Sequence, residues 1–157
     1  DPVIERAPCD VAVLKNCGGN RRFRRVLVPV GGGPNAALAL EIAGILADER
    51  EGRVTAFTVL GRRSRVDVNQ FLSDNLHRVR LPAERVEARV RSGRDVVSAI
   101  LDEASEYDLV VIGASHDPAI YKIARNPIPE TVARRCQTPL IMVKAEQGLR
   151  GWLKRWF

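Results

Sequence analysis

The sequence predicts an α/β protein with a doubly wound, five-stranded parallel sheet and helices on both faces. Short continuous apolar segments alternate along the chain with longer amphipathic segments, and glycine or proline separates them. Continuous apolar segments are typical of strands buried on both faces. Strands that alternate with helices are joined by crossovers, which make the sheet parallel, and right-handed crossovers make it doubly wound.

The first strand is predicted in "RRVLVPV" at 24–30, which three glycines follow. The next segment, "PNAALALEIAGILADER", predicts a helix whose first turn is capped by Asn35. Its spacing predicts an apolar face made of Leu38, Ile42, Ile45 and Leu46. "RVTAFTVL" at 53–60 predicts the second strand.

The rest of the chain continues the same alternation. The predicted elements are a polar helix at 66–79, a strand at 84–90, a helix at 94–107, a strand at 108–115, a helix at 129–136 and a strand at 139–144. The apolar residues expected to face inward from the helices at 66–79 and 94–107 are Phe71, Leu72, Leu76, Val97, Ile100, Leu101 and Ala104. Ligands of such sheets bind beyond the carboxyl ends of the strands, which here precede the loops at 31–35 and 113–127.

The opening "DPVIERAPCDVAVLK" matches the pattern of "ETVARRCQTPLIMVK" at 130–144 when it is shifted by 129 residues. The shift places Val3, Arg6 and Lys15 on Val132, Arg135 and Lys144, and the apolar run 11–14 on 140–143. We therefore expect residues 1–15 to be the remnant (last helix end and strand) of a preceding repeat. A linker at 16–24, one domain at 25–145 and a basic aromatic tail at 146–157 complete the expected organisation.

Bulk properties exclude several classes of protein. The chain has 157 residues, 45% hydrophobic and 28% charged, with no apolar run approaching the roughly 20 residues that cross a bilayer. Cys9, Cys17 and Cys136 have no C-x-x-C spacing, which indicates neither a disulfide framework nor a zinc site and favours a reducing cytoplasm.

The net charge of +6 lies largely in basic runs that are typical of solvated linkers. The alternatives are binding to an anionic membrane surface or to nucleic acid, and no nucleic-acid motif accompanies the charge.

Three segments resemble, in this order, the universal stress protein domain: "VLVPVGGGPNAALAL", "SGRDVVSAILDEASEYDLVVIGAS" and "NPIPETVARRCQTPLIMVK". The resemblance covers about residues 25–144, and "IERAPCDVAVLK" resembles the last helix and strand of another such domain. The "GG-P-" and "-IPE-VA" patterns look most like tandem domains in the cytoplasmic C-terminal regions of amino-acid permease-like transporters. The resemblance implies a non-catalytic regulatory or assembly domain, cytoplasmic and tethered to a membrane through its parent transporter.

Nucleotide-binding members of this family carry G-x2-G-x9-G-[S/T] after the fourth strand. Counted from Gly113, this chain has His116, Asn126 and Pro127 at the other three positions, and Gly31 stands where an Asp usually follows the first strand. Proline has no N–H to offer a phosphate, so the resemblance implies a preserved loop that binds phosphate weakly. The candidate nucleotide-binding residues are Val30, Gly31, Gly32, Gly113, His116 and Asn126. No cofactor is assigned; ATP and AMP are the candidate ligands of the alternative function, a stress-response sensor.

A third alternative is a fragment of an NADP-binding enzyme. "GGGPNA" satisfies G-x-G-x-x-A between a strand and a helix, and the acidic residue expected at the end of the second strand is missing. Arg62 and Arg63 stand there instead, which the 2′-phosphate of NADP could use. His116 has Ser115 and Asp117 beside it, yet neighbours in sequence cannot converge on one substrate atom. We therefore expect no enzyme, no catalytic residue and no metal site; His116 is either a ligand contact or a surface loop residue, and His77 faces solvent.

We predict a contact between the N-terminal segment and the last strand at the edge of the sheet. Family members commonly dimerise through their last strand, and an unpaired edge invites aggregation. We expect residues 11–14 to pair antiparallel with residues 140–143, which places Val11, Val13, Leu140 and Met142 at an interface. In the tail "LRGWLKRWF", Trp152 and Trp156 beside basic residues suit a membrane surface, and a cap packed on the domain is the alternative.

Overall fold

The chain is described, as a computed structural model, over residues 7–16, 18, 22–61, 66–115 and 127–146. These ranges contain the strands β1 (Val11–Lys15), β2 (Arg25–Pro29), β3 (Arg53–Leu60), β4 (Val86–Ser92), β5 (Leu109–Gly113) and β6 (Leu140–Lys144). They also contain the helices α1 (Pro34–Leu46), α2 (Val68–Asn75), α3 (Val96–Ala104) and α4 (Ile128–Arg135), and 3₁₀ turns at Leu76–Arg78 and Ala83–Arg85. Within this part of the chain, no helix has the length and apolar character needed to cross a membrane.

The six strands form one sheet in the order β1-β6-β5-β2-β3-β4. Strands β2 to β6 are parallel, which confirms the five-stranded doubly wound prediction, and β1 adds a sixth strand antiparallel to β6. The chain builds the sheet from β2 toward β4 and then crosses back to β5 and β6. The strand order therefore reverses between β2 and β5, which is where sheets of this type bind ligands.

Two apolar layers sandwich the sheet. Alternate residues of one strand point to opposite faces, so Val26 and Val28 join the layer under α1 and α2, while Leu27 joins the layer under α3 and α4. The second layer includes Phe57, buried to 1% exposure, and it also encloses Cys136.

The buried face of α1 differs from the prediction. The residues that α1 buries are Asn35, Ala36, Ala37, Leu38, Ala39, Leu40, Ala43 and Gly44, whereas Ile45 is 51% exposed. Small side chains let the helix lie close to its neighbours: a Cβ on Gly44 would lie 2.8 Å from Cγ1 of Val79. Of the four residues predicted for this face, Leu38 is buried and Ile42 and Leu46 pack partly buried against the core, so the prediction is wrong for Ile45 alone and missed the small residues.

The start of α1 was also predicted wrongly. The N-cap residue is Gly33, with a φ of 89°, and no side chain of the described residues caps this end of the helix. Asn35 is the second residue of the helix and is 3% exposed. A buried amide requires hydrogen-bond partners from the protein, and Asn35 finds them on the sheet rather than on its own helix.

Aspartates cap the two helices that follow. Asp67 accepts hydrogen bonds from the N–H groups of Asn69 and Gln70, and Asp95 accepts from the N–H and hydroxyl of Ser98. The hydrogen bond from the Ser98 side chain is the main reason that the pKa of Asp95 lies below its ordinary value, and the bond from the Ser98 backbone adds to it. These caps fix where α2 and α3 begin.

The register of β1 on β6 matches the predicted antiparallel pairing. Val13 lies opposite Met142, Val11 opposite Lys144 and Lys15 opposite Leu140. Just outside the strands, the N–H of Glu146 donates to Oδ1 of Asp10 at 2.6 Å. The start and the end of the described domain therefore lie side by side at one edge of the sheet.

Candidate functional site

The carboxyl ends of β2 and β5 flank the point where the strand order reverses. Residues 31–33 follow β2, and Ala114 and Ser115 follow β5. Both segments therefore reach the edge where a ligand of this fold would bind.

Asn35 joins the two sides of this edge. Its Nδ2 donates to the carbonyl of Ala114 at 2.8 Å, and its Oδ1 accepts from the N–H of Ala145 at 2.8 Å. A single amide thus ties the start of α1 to the ends of β5 and β6. The sequence shows that an asparagine stands here, but its partners are too distant along the chain for spacing to reveal them.

Gly113 makes this arrangement sterically feasible. A Cβ added to Gly113 would lie 2.7 Å from the carbonyl carbon of Asn35 and 2.8 Å from its Cβ. Such distances are too short for any side chain, so glycine is needed for α1 to approach β5. Gly113 therefore has a role in packing, and its role in nucleotide binding stays a prediction.

The loop at 31–33 is open to solvent. Gly32 and Gly33 both have a φ of 89°, the left-handed region that favours glycine. All three glycines are exposed, and nothing lies within 4 Å of a Cβ built at Gly31 or Gly33. The backbone of this loop is accessible to a small anion at the start of α1.

Val30 supports the loop from below. Its N–H donates to the carbonyl of Phe57 at 2.8 Å, and its carbonyl accepts from Oγ1 of Thr58 at 3.1 Å. Both groups thus bind β3, so Val30 holds the loop in place and offers no free N–H to a ligand. Of the six candidate nucleotide-binding residues, His116 and Asn126 lie outside the described residues, so the structure brings only Val30, Gly31, Gly32 and Gly113 into view at this edge.

Glu130 lies at the candidate site, and the sequence analysis did not single it out. Its Oε2 accepts from the hydroxyl of Ser115 at 3.1 Å, and its Oε1 lies 3.4 Å from the N–H of Ser115. A carboxylate therefore takes the donors that follow β5. Pro127 and Pro129 flank the first residue of α4 and supply no N–H. A negative charge with few N–H donors disfavours a second anion at this position.

The remaining candidate groups are spread apart. Among the described residues, no cluster of three or more His, Cys, Asp or Glu could hold a metal ion. His77 is exposed on the 3₁₀ turn after α2, as expected, and the Sγ of Cys136 lies 3.4 Å from the carbonyl of Thr138. Cys17, Arg62, Arg63, Trp152 and Trp156 lie outside the described residues.

The predicted interface residues meet at the β1–β6 edge. Val11, Val13, Leu140 and Met142 line an apolar groove of about 120 Å³, together with Lys15 and Ala133. This groove lies on the face of the sheet that α4 covers.

Lys15 anchors β1 to the end of α4. Its Nζ donates to the carbonyls of Ala133 at 2.9 Å, Arg134 at 3.1 Å and Cys136 at 3.0 Å. The last carbonyls of a helix have no partner within the helix and carry partial negative charge, so a lysine there is stabilising. The N-terminal strand thus supplies a side-chain cap to the end of α4.

Comparisons with known proteins agree with this fold. Residues 22–144 match the family model described as "Universal stress protein family". A solved structure of a universal stress protein in complex with cAMP is 22% identical with a TM-score of 0.60, over 76% of this chain and 94% of that one. No curated protein matches the chain.

Two further solved structures come from named organisms. A universal stress protein from Lactobacillus plantarum is 19% identical with a TM-score of 0.58, over 79% of this chain and 99% of that one. A universal stress protein from Archaeoglobus fulgidus DSM 4304 is 21% identical with a TM-score of 0.60, over 79% of this chain and 45% of that one. At these identities the likeness shows a shared fold.

Proposed function

This chain belongs to the universal stress protein family, and we propose that it is a non-catalytic regulatory or assembly domain of a membrane transporter. The observation that carries this proposal is the antiparallel pairing of β1 with β6, which Lys15 anchors to α4. A free sheet edge pairs readily with another strand. This domain closes the edge with its own N-terminal strand, which Lys15 anchors to α4. Such a domain is organised around a contact between domains.

The ligand edge supports the same proposal. Glu130 accepts a hydrogen bond from the hydroxyl of Ser115. The N–H and the carbonyl of Val30 both form hydrogen bonds with β3. The negative charge of Glu130 opposes a phosphate after β5. These features favour a contact domain over a nucleotide sensor.

The transporter as parent protein follows from the resemblance of "GG-P-" and "-IPE-VA" to the cytoplasmic regions of amino-acid permeases. We expect a cytoplasmic domain held at the membrane by hydrophobic spans elsewhere in the gene product, with Trp152 and Trp156 near the lipid surface. Reading the complete gene and fractionating the native protein test this. About twelve spans and recovery with membranes support it, whereas a gene for a water-extractable tandem protein contradicts it.

A nucleotide sensor is the second candidate, because the loop at 31–33 is exposed beside the start of α1. A structurally similar universal stress protein was solved with cAMP. Calorimetric titration with ATP, AMP, cAMP and NADP separates the two functions. A nucleotide Kd below roughly 100 µM, which corresponds to a binding free energy of about −5.5 kcal/mol, favours the sensor. Equally tight binding of NADP favours the enzyme alternative.

A further inference from the structure

Strand β4 forms the second edge of the sheet. The strand order ends on β4, and among the described residues β3 is the strand that pairs with it. The opposite edge, in contrast, is closed by the chain's own strand β1. The outer backbone groups of an edge strand are available to another strand. Within the described ranges, the chain therefore covers one edge of its sheet and leaves the other open.

The hydrogen bonds to β3 show which backbone groups of β4 face this open edge. The N–H of Gly93, directly after β4, donates to the carbonyl of Leu60 at 3.1 Å, so the backbone of Gly93 is directed toward β3. Along a strand, the backbone groups of successive residues alternate between the two neighbouring sides. The residues of β4 whose N–H and carbonyl face the open edge are therefore Val86, Ala88, Val90 and Ser92.

The side chains of β4 are complementary to a second, antiparallel copy of the same strand. Residues 86–90 read Val-Glu-Ala-Arg-Val. A copy centred on Ala88 places Val86 opposite Val90 and Glu87 opposite Arg89, and each of these pairs occurs twice. Opposite charges directly across two strands stabilise the pairing, whereas like charges destabilise it. In this register both the apolar and the charged residues therefore find matching partners.

The neighbouring registers lack this match. A pairing centred on Glu87 places this glutamate opposite itself, and one centred on Val90 places Arg89 opposite Arg91. A pairing centred on Arg89 does place Glu87 opposite Arg91, but it sets Arg89 against itself and a valine against a serine. Charge and apolar pattern together therefore favour the register centred on Ala88.

The two charged residues of this register are ordered within the chain and still accessible. Nη1 of Arg89 donates to Oε1 of Glu103 at 2.6 Å, and Oε1 of Glu87 accepts from Oγ1 of Thr55 at 3.1 Å. The side chains of Arg89 and Glu87 are both about half exposed. Each can therefore contact a second chain without leaving its own.

The next pair outward in this register, Arg85 with Arg91, carries like charges. Arg85 precedes the strand, and its Nη1 donates to the carbonyl of Glu49 at 2.7 Å. Nη2 of Arg91 lies 3.8 Å from Oδ2 of Asp102. Because each arginine has an acceptor in its own chain, this outer pair opposes the contact less than two free arginines would.

We propose that two copies of this chain associate through β4, paired antiparallel about Ala88. The contact joins the two sheets edge to edge, with the valine pairs on one face and the Glu87–Arg89 pairs on the other. So short a pairing buries little surface, and the dimer is therefore a weak one that forms as concentration rises. This association goes beyond the proposed function, since it needs neither a nucleotide nor a membrane.

Sedimentation velocity of the 157-residue chain under reducing conditions tests the association. The parent chain should shift from monomer toward dimer as its concentration rises to roughly 1 mM. Val90→Pro removes an N–H that faces the open edge and should abolish the shift, whereas the matched control Val90→Thr keeps that N–H and should dimerise. A parent chain that stays monomeric, or a Val90→Pro chain with unchanged circular dichroism that dimerises like Val90→Thr, overturns the proposal.

A change of charge tests the Glu87–Arg89 pairs. Glu87→Lys replaces two opposite-charge pairs in each dimer with two like-charge pairs, so the dimer Kd should rise by roughly tenfold. Glu106→Lys, an exposed residue outside β4, is the matched control and should leave the Kd unchanged. Equal dimer Kd values for the two variants would contradict these pairs, and this comparison holds even if Val90→Pro prevents folding.

Disulfide trapping tests the register. All chains carry Cys9→Ser and Cys17→Ser, which leaves the buried Cys136 as the remaining native thiol. Mixed chains with Glu87→Cys and with Arg89→Cys should link to each other, because facing residues that are not hydrogen-bonded lie about 4.5 Å apart at Cα, within disulfide range. Each variant alone should link far less.

Strong linking of Arg89→Cys with itself would instead show the register centred on Arg89 and refute the one proposed. No linking in the mixture, at concentrations where the parent chain dimerises, would refute it as well. The nucleotide titration and the complete gene decide the proposed function separately from these results.

Discussion

Gly113 and Asn35 are in such close contact that a Cβ on Gly113 would lie 2.7 Å from the carbonyl carbon of Asn35. This contact sets how near α1 lies to β5. The same Asn35 then reaches the ends of both β5 and β6. The shape of the candidate ligand edge therefore depends on one glycine and one asparagine.

Gly113→Ala should lower the free energy of unfolding by about 1–3 kcal/mol, since the added methyl group overlaps backbone atoms that cannot move freely. Urea denaturation measures the change. Gly93→Ala is the matched control, because its Cβ would meet Val59 and Ala99 at ordinary distances of 3.5 and 3.8 Å. Equal losses in the two variants would show that the contact with Asn35 is not the cause.

Asn35→Ala should lower the free energy of unfolding by about 1–3 kcal/mol for each partner left without a hydrogen bond, the Ala114 carbonyl and the Ala145 N–H. Asn35→Asp keeps an acceptor for Ala145 but loses the donor to Ala114 and should also destabilise. The exposed Asn69→Ala is the control for urea denaturation. An Asn35→Ala chain as stable as this control would argue against the bridge.

Glu130→Gln should raise the affinity for ATP, since it removes a negative charge beside Ser115. Two like charges about 4 Å apart in water repel each other by about 1 kcal/mol. Removing this repulsion corresponds to roughly a fivefold decrease in Kd. Calorimetric titration measures the change, with the exposed Glu106→Gln as control. If Glu130→Gln binds ATP no better than Glu106→Gln, the charge of Glu130 does not restrict this site.

The pH dependence of stability should report on Asp95. Its pKa is lowered in the folded state, first by the Ser98 hydroxyl, so the stabilisation is present above the unfolded pKa near 3.9 and is lost as pH falls through the lower folded pKa. The Tm difference between the parent chain and Asp95→Ala should be full at pH 7 and vanish in strong acid. Ser98→Ala keeps the backbone bond and should show a smaller effect. A Tm difference that is constant with pH would refute this assignment.

Asp48 should behave in the same direction. The N–H groups of Glu51 and Arg50 donate to its carboxylate and lower its pKa, the bond from Glu51 having the larger effect. NMR titration of the Asp48 carboxyl carbon should therefore give a midpoint below the ordinary value of about 3.9. A midpoint at or above that value would contradict the two hydrogen bonds.

The fold could be predicted because its signals are local. Most strands are short, largely apolar segments such as residues 53–60, and the sequence and the structure agree on that strand from end to end. The pairing of β1 with β6 was predicted from a repeated local pattern together with the resemblance to a family whose members dimerise through their last strand. The face of α1 could not be predicted in the same way, because small residues pack there and Ile45 is left exposed.

The site could be predicted only in part. The exposed glycine loop at 31–33 is visible in the sequence as three consecutive glycines. The contacts that define the rest join residues far apart: Asn35 bonds across 79 and 110 positions, and Lys15 across 118 to 121. Spacing within one segment carries no information about such partners, so the roles of Asn35, Lys15 and Glu130 emerged only from the folded chain.

The side-by-side placement of Asp10 and Glu146 has a mechanical consequence. Force applied through these two residues pulls first on the adjacent pair of Val11 and Lys144, since the strands run antiparallel from that end. The hydrogen-bonded pairs of β1 and β6 then break one after another, instead of all bearing the force together. A small force applied here therefore detaches β1 before it disturbs the five parallel strands.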